Sequence, residues 1–243
     1  MEQALEIPLV IALALGGSLL AWRFRFLTPT GAAAAAALAT AIGLAASPRW
    51  TVALLVFPVI AFLATIDYFK QKEERGLQEG EHGERSHANV LGVALIPAAI
   101  SVAYALSSGR AEDVLAVAFV SAVAVSTADT VASEVGVTDR HGTWMITTLE
   151  PCEPGLNGGV SRLGIVSSLG YSVIYSIVAW AVVFDSFGWQ FLIPATAGMA
   201  GNLLDSVVGA VWENRGKISK YGVNRLTQLA GAAMGALLYA PFA

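Results

Sequence analysis

Residues 114–136 read VLAVAFVSAVAVSTADTVASEVG, fifteen positions without a charge followed by Asp129 and, five further on, Glu134. About 20 mostly apolar residues are enough for a helix to cross the hydrocarbon core of a bilayer, so this stretch reads as a spanning helix. Carboxylates inside a span cost several kcal/mol unless they are paired or hydrated, and they mark functional positions by default. The fold and the site are therefore to be sought together, outward from this segment.

The rest of the chain agrees with a membrane assignment. Of 243 residues, 56% are hydrophobic and 13% charged, about half the charged share of a soluble domain. Six of the 18 acids and four of the 14 bases crowd into 67–87, which leaves long stretches nearly free of charge. Eight spans follow: 5–22, 31–47, 50–66, 88–107, 114–136, 163–184, 188–212 and 224–242. The expected fold is all-α, a polytopic membrane bundle in a single domain covering 1–243, with 67–87 a charged, solvated loop. No basic segment precedes the first apolar run, which is read as a retained span rather than a cleaved signal. The second span is an alanine run, and small residues of this kind favour close helix approach in lipid. One cysteine, Cys152, excludes a disulfide framework, and His82, His87 and His141 show no ligand spacing. Trp22, Trp50 and Trp212 fall near span ends, as in an aromatic belt.

Orientation comes from the bases. With these spans one side collects Arg23, Arg25, Lys70, Lys72, Arg75, Arg85, Arg140, Arg162, Arg215, Lys217, Lys220 and Arg225, the other only Arg49 and Arg110. The positive-inside rule then puts both termini outside and the loops 67–87, 137–162 and 213–223 in the cytoplasm. The fifth and seventh spans run the same way. Asp129 lies seven residues before Gly136 and Asp205 seven before Trp212, so both sit ~10 Å below the cytoplasmic helix ends. Asp129-Thr130-Val131-Ala132 is also faintly echoed by Asp205-Ser206-Val207-Val208.

Other polar residues are expected at the same level. Ser86, His87 and Asn89 open the fourth span and Asn224 the eighth, while Asn157-Gly158-Gly159-Val160-Ser161-Arg162 leads into the sixth. A glycine-rich turn at a helix start offers backbone N–H groups to phosphate. Asn202 and Asp205 share a helix face, and Gly198, Gly201 and Gly209 are expected to leave room beside them, whereas Asp129 and Glu134 diverge by about 140°. Carboxylates, amides, a glycine-rich turn and the cations Arg85 and Arg162 together suit Mg²⁺ with phosphates. Asp129, Glu134 and Asp205 are the expected metal ligands, and Asp129, Asp205, Arg85 and Arg162 the expected catalytic groups. Asn89, Ser86, Thr130, Asn157, Gly158, Gly159, Ser161, Asn202 and Asn224 are expected to bind substrate or phosphate.

Four of these stretches carry a resemblance. Arg85-Ser86-His87-Ala88-Asn89-Val90-Leu91, residues 126–136, Asn157-Gly158-Gly159-Val160-Ser161 and Gly201-Asn202-Leu203-Leu204-Asp205-Ser206-Val207-Val208-Gly209 resemble, in order, the signature blocks of the phytyl-phosphate kinase family, also catalogued as domain of unknown function ninety-two. The resemblance implies an integral membrane kinase that converts an isoprenyl monophosphate to its diphosphate with a nucleoside triphosphate, CTP or ATP, and Mg²⁺. The implied partners are that lipid phosphate, the nucleotide and the bilayer, with no nucleic acid; assembly into a homo-oligomer stays open. The implied location is the plasma membrane of a prokaryote. Two other classes compete: a lipid-phosphate transporter or flippase, which should carry polar groups to both faces, and a lipid cytidylyl or phospho-alcohol transferase, which shares the metal and nucleotide needs.

Overall fold

The computed structural model describes the backbone of residues 2–74 and 84–243 and the side chains of 5–64 and 84–243. Among the described residues, eight helices fall on the eight expected spans: α1 Glu2–Arg23, α2 Pro29–Ala45, α3 Pro48–Glu74, α4 His87–Ala105, α5 Arg110–Gly136, α6 Arg162–Val183, α7 Leu192–Val208 and α8 Lys220–Tyr239. A 3₁₀ turn, Trp189–Phe191, enters α7, and a π turn, Gly209–Glu213, leaves it. Among the described residues five segments are long and apolar enough to cross a membrane, namely Leu5–Arg23, α4, α5, α6 and Trp189–Glu213; α2 and the described part of α3, Pro48–Ala64, are apolar and shorter.

The helix boundaries differ from expectation where capping outweighs hydropathy. Helix α8 starts at Lys220, four residues early, because Ser219 accepts a hydrogen bond from the Gly222 N–H at 3.2 Å and so begins the helix within polar sequence. Thr28 does the same for α2, with Pro29 in the first turn. Helix α3 continues to Glu74, well into the segment expected as a loop. Most side chains of 67–87, with His82 among them, lie outside the described residues.

Helix α5 is the axis of the bundle. It is buried over 78% of its spanning window, against 17–44% for the other four, and it packs on α3, α4, α6, α7 and α8. A helix surrounded by protein is apolar all round, as the unbroken buried run from Ala116 to Ala128 shows. Helices α7 and α8 reach it through glycine: a Cβ at either Gly201 or Gly231 would run into Val125. Gly198 likewise abuts Ala124 and Ser172. Gly198 and Gly201 therefore seat α7 on its neighbours and do not leave room for a ligand. Trp50 is a core residue at 3% exposure, packed on Tyr104 and Phe119, and not part of an aromatic belt. Trp22 and Trp212 are exposed near helix ends.

One element was not anticipated. Between α5 and α6 the chain makes a small antiparallel sheet of order β2-β1-β3, from β1 Thr143–Met145, β2 Pro151–Cys152 and β3 Gly159–Val160. Such two- and three-residue strands fall below what sequence periodicity can show.

The α7–α5–α8 contact carries a prediction. Gly231→Ala should destabilise the fold by about 1–3 kcal/mol through overpacking against Val125, and a second change, Val125→Ala, should recover most of it. Thermal unfolding of the two single variants and the double variant in detergent checks this, and additive losses would count against a shared contact.

Candidate functional site

Two cavities meet at the end of the bundle where α4, α6 and α8 begin. One lies among α1–α5, and the other among α5, α7, α8 and the sheet loop. Asp129, Ser133, Glu134, Lys220 and Asn224 line both and form the junction. Beyond it the first arm is apolar, walled by residues such as Ala35, Leu38, Leu54 and Val93. The second is polar and holds Asn202 and Asp205.

Asp129 and Asp205 face the polar arm from α5 and α7 and interact electrostatically. Thr227 of α8 donates to Asp205 Oδ2 at 3.2 Å. Arg85 lies between two chain segments: its N–H donates to the Phe26 carbonyl at 2.9 Å and its carbonyl accepts from the Thr28 N–H at 3.1 Å. Its guanidinium lies 4.6 Å over the Phe26 ring, and Nη2 reaches Glu134 Oε1 at 3.2 Å. Asn89 accepts from both the N–H and the hydroxyl of Ser86 through Oδ1, at 3.1 and 3.0 Å, so its amide donors are what remain for a ligand.

The structure brings Asp129, Thr130, Glu134, Arg85, Asn89, Asn224, Asn157, Gly158, Gly159, Ser161, Asn202 and Asp205 to the walls of the two arms. Several of these do something other than expected. Glu134 is buried against Arg85, and among the described residues no group of three His, Cys, Asp or Glu side chains is placed to hold a metal. The three expected carboxylates therefore do not form one cluster, and Asp129 and Asp205 share the polar arm. Ser86 lines neither arm, because its hydroxyl is tied to Asn89 at the start of α4. Arg162 also lies outside both, exposed and 5.7 Å over Trp144.

The expected phosphate cradle at α6 is already filled by protein. Ser161 accepts from the Gly164 N–H at 3.1 Å and donates to the Gly136 carbonyl at 2.9 Å, closing α5 onto α6. Asp139 Oδ2 accepts from the Leu163 N–H at 2.9 Å, so a side-chain carboxylate sits where phosphate was expected. The Gly159 N–H donates to the Leu156 carbonyl, and a Cβ there would meet Thr143, Leu156 and Cys152 at 2.9–3.3 Å. Gly158 has φ +85° and lies against Ser206 and Ala210. Both glycines pack the sheet loop onto α7 and the strands. Asn157 is exposed and hydrogen-bonds Glu213.

With that geometry in view, the description of integral membrane protein DUF92 matches residues 11–234. The chain belongs to this family. An uncharacterized membrane protein of Synechocystis is 31% identical over 96% of this chain and 92% of its own length. One from Methanocaldococcus jannaschii is 27% identical over 79% and 76%. Protein VTE6, chloroplastic, of Arabidopsis thaliana is 26% identical over 78% of this chain and 57% of its own. No solved structure gives a significant match.

Three residues of the DUF92 chain escaped the sequence reading. Lys220 was assigned to a loop because hydropathy starts later, although the Ser219 cap just before it was a usable signal. Thr227 gives no sign until α7 and α8 are packed. Asp139, just past α5, falls in the loop 137–162 and was not singled out. Its Oδ1 accepts from the His141 N–H at 2.9 Å. That bond first, and the Leu163 N–H second, hold its carboxyl below the usual 3.8.

A lowered carboxyl pKa contributes stability that is present above about pH 4 and lost as pH falls through the lowered value. Asp139→Ala should cost about 1–2 kcal/mol at neutral pH by uncapping α6. The difference from the parent protein should shrink as pH is taken below 4, measured by unfolding at a series of pH values.

Proposed function

We propose that this DUF92 member is a membrane kinase. It transfers a phosphoryl group from a nucleoside triphosphate, CTP or ATP, to an isoprenyl monophosphate of phytyl type and yields the diphosphate. The observation that carries the reading is the junction of an apolar and a polar arm at Asp129, Ser133, Glu134, Lys220 and Asn224. An amphiphile with a charged head fits such a site, and a soluble metabolite gives no reason for the apolar arm. The resemblance of four sequence blocks to the phytyl-phosphate kinase family supports the same chemistry.

Each chain group has a task in this reading. Arg85 and Lys220 attract the lipid phosphate to the junction, and the amide donors of Asn89 and Asn224 orient it. Glu134 holds Arg85 in place through their ion pair. Asp129 and Asp205, with Asn202 beside them, would hold a Mg²⁺, an ion commonly bound through one or two carboxylates. When bound, Mg²⁺ would offset negative charge on the transferring phosphates. A phosphate oxygen of the lipid attacks the terminal phosphorus of the nucleotide as the bond to the bridging oxygen breaks, so a nucleoside diphosphate leaves. The attacking monoester is already largely ionised near neutral pH, and no strong base is needed. Positioning and charge neutralisation suffice. The site faces the cytoplasm in this reading, in the plasma membrane of a prokaryote, as the segregation of bases expects.

The test is incubation of the purified protein with prenyl monophosphates, labelled CTP or ATP, and Mg²⁺, followed by product identification. Prenyl diphosphate is the expected product. Asp129→Asn and Asp205→Asn should each lower turnover by roughly 10²-fold or more with the fold intact. Absence of diphosphate from every prenyl phosphate tried, or near-parental activity of either variant, would overturn the reading.

A further inference from the structure

The wall of the apolar arm includes polar groups left unmet by the described residues. Below the arm α1, α2 and α3 are in contact, since a Cβ on Gly43 would run into Thr51 and Val10, both buried. Neither residue lines the cavity. Above that contact short side chains, Gly17, Ala35, Ala39 and Ala94, alternate with larger ones such as Leu38 and Phe57, with Leu54 near the floor. The alanine run of α2 therefore makes space. At the mouth, Arg85 Nη1 is buried with no hydrogen-bond partner among the described residues. Further in, the hydroxyl of Ser18, 5% exposed, also lacks one. An unmet buried donor is unfavourable, and both donors lie on the wall of one cavity. An unmet guanidinium nitrogen at the mouth of an apolar channel matches an anionic head followed by a hydrocarbon chain.

We propose that the apolar arm is a chain-length gauge for the lipid substrate, closed at the Val10–Gly43–Thr51 contact and set by Ala35, Ala39 and Leu54. This rests on the kinase reading for the identity of the head group. Arg85 is hydrogen-bonded to Thr28, beside the first residue of α2, and Ala39 lies ten residues along that helix, or ~15 Å. An extended chain advances about 1.2 Å per bond, so the arm holds roughly twelve bonds, or about three isoprene units, with a fourth at the limit. The gauge works by exclusion. A prenyl chain in the bilayer is already in hydrocarbon, so filling the arm adds little affinity, whereas a chain that meets the closed end does not fit.

The experiment measures ligand-induced thermal stabilisation, without nucleotide, and then turnover, for prenyl monophosphates of two, three and four isoprene units and one roughly three times as long. Comparable kcat/KM up to about four units and a drop of at least tenfold for the long chain are expected. Ala39→Leu should move the cut-off to shorter chains and Leu54→Ala to longer ones. Ala35→Phe, nearer the mouth, serves if Ala39→Leu does not fold. Opposite shifts separate a gauge from general destabilisation, which would move both variants the same way. Equal handling of the long chain, or a cut-off that neither variant moves, would overturn the gauge while leaving the kinase reading in place. Failure of every prenyl phosphate to stabilise the protein or to react would overturn both.

Discussion

The ion pair between Arg85 and Glu134, 3.2 Å apart and almost wholly buried, joins the two halves of the molecule. Arg85 is held by backbone hydrogen bonds to the α1–α2 connection and precedes α4, while Glu134 belongs to the central helix. Either charge left alone in this setting would cost several kcal/mol, so the pair fixes where the α1–α4 half meets α5. That meeting line is also where the apolar and polar arms join. The architecture and the site thus depend on the same contact.

Enclosure of α5 explains why its two acids behave differently. Glu134, close to the helix end, finds Arg85 and becomes part of the framework. Asp129 lies on another side of the helix, toward α7 and α8, and shares the polar arm with Asp205. Their angular offset of about 140° lets Glu134 meet Arg85 while Asp129 faces Asp205, both at the junction of the two arms. The π turn that follows Asp205 belongs to the same region, and interruptions of this kind recur at functional positions.

The loop between α5 and α6 shows how a motif can be right in composition and different in use. Its glycines were expected to admit phosphate. Instead they admit α7 and the strands of the small sheet, and Asp139 and Ser161 take the N–H groups at the start of α6. A helix start satisfied by protein groups is a rigid joint, and here it closes α5 and α6 around one wall of the polar arm.

The membrane class, the eight helices and the two aspartates were legible in the sequence because bilayer thickness imposes a length and a hydropathy on every span, and because a carboxylate at that depth stands out. Helix starts were less legible, since a cap such as Ser219 sets the boundary at Lys220 inside polar sequence that hydropathy ignores. Tertiary structure alone decided the partners. It paired Glu134 with Arg85, set Arg162 outside the cavity over Trp144, buried Trp50, and brought Thr227 to Asp205. It also made a cavity wall of the alanine run. The physical reason is the same in each case. Spacing along one helix tells which residues share a face, and only the packing of several helices tells what that face meets.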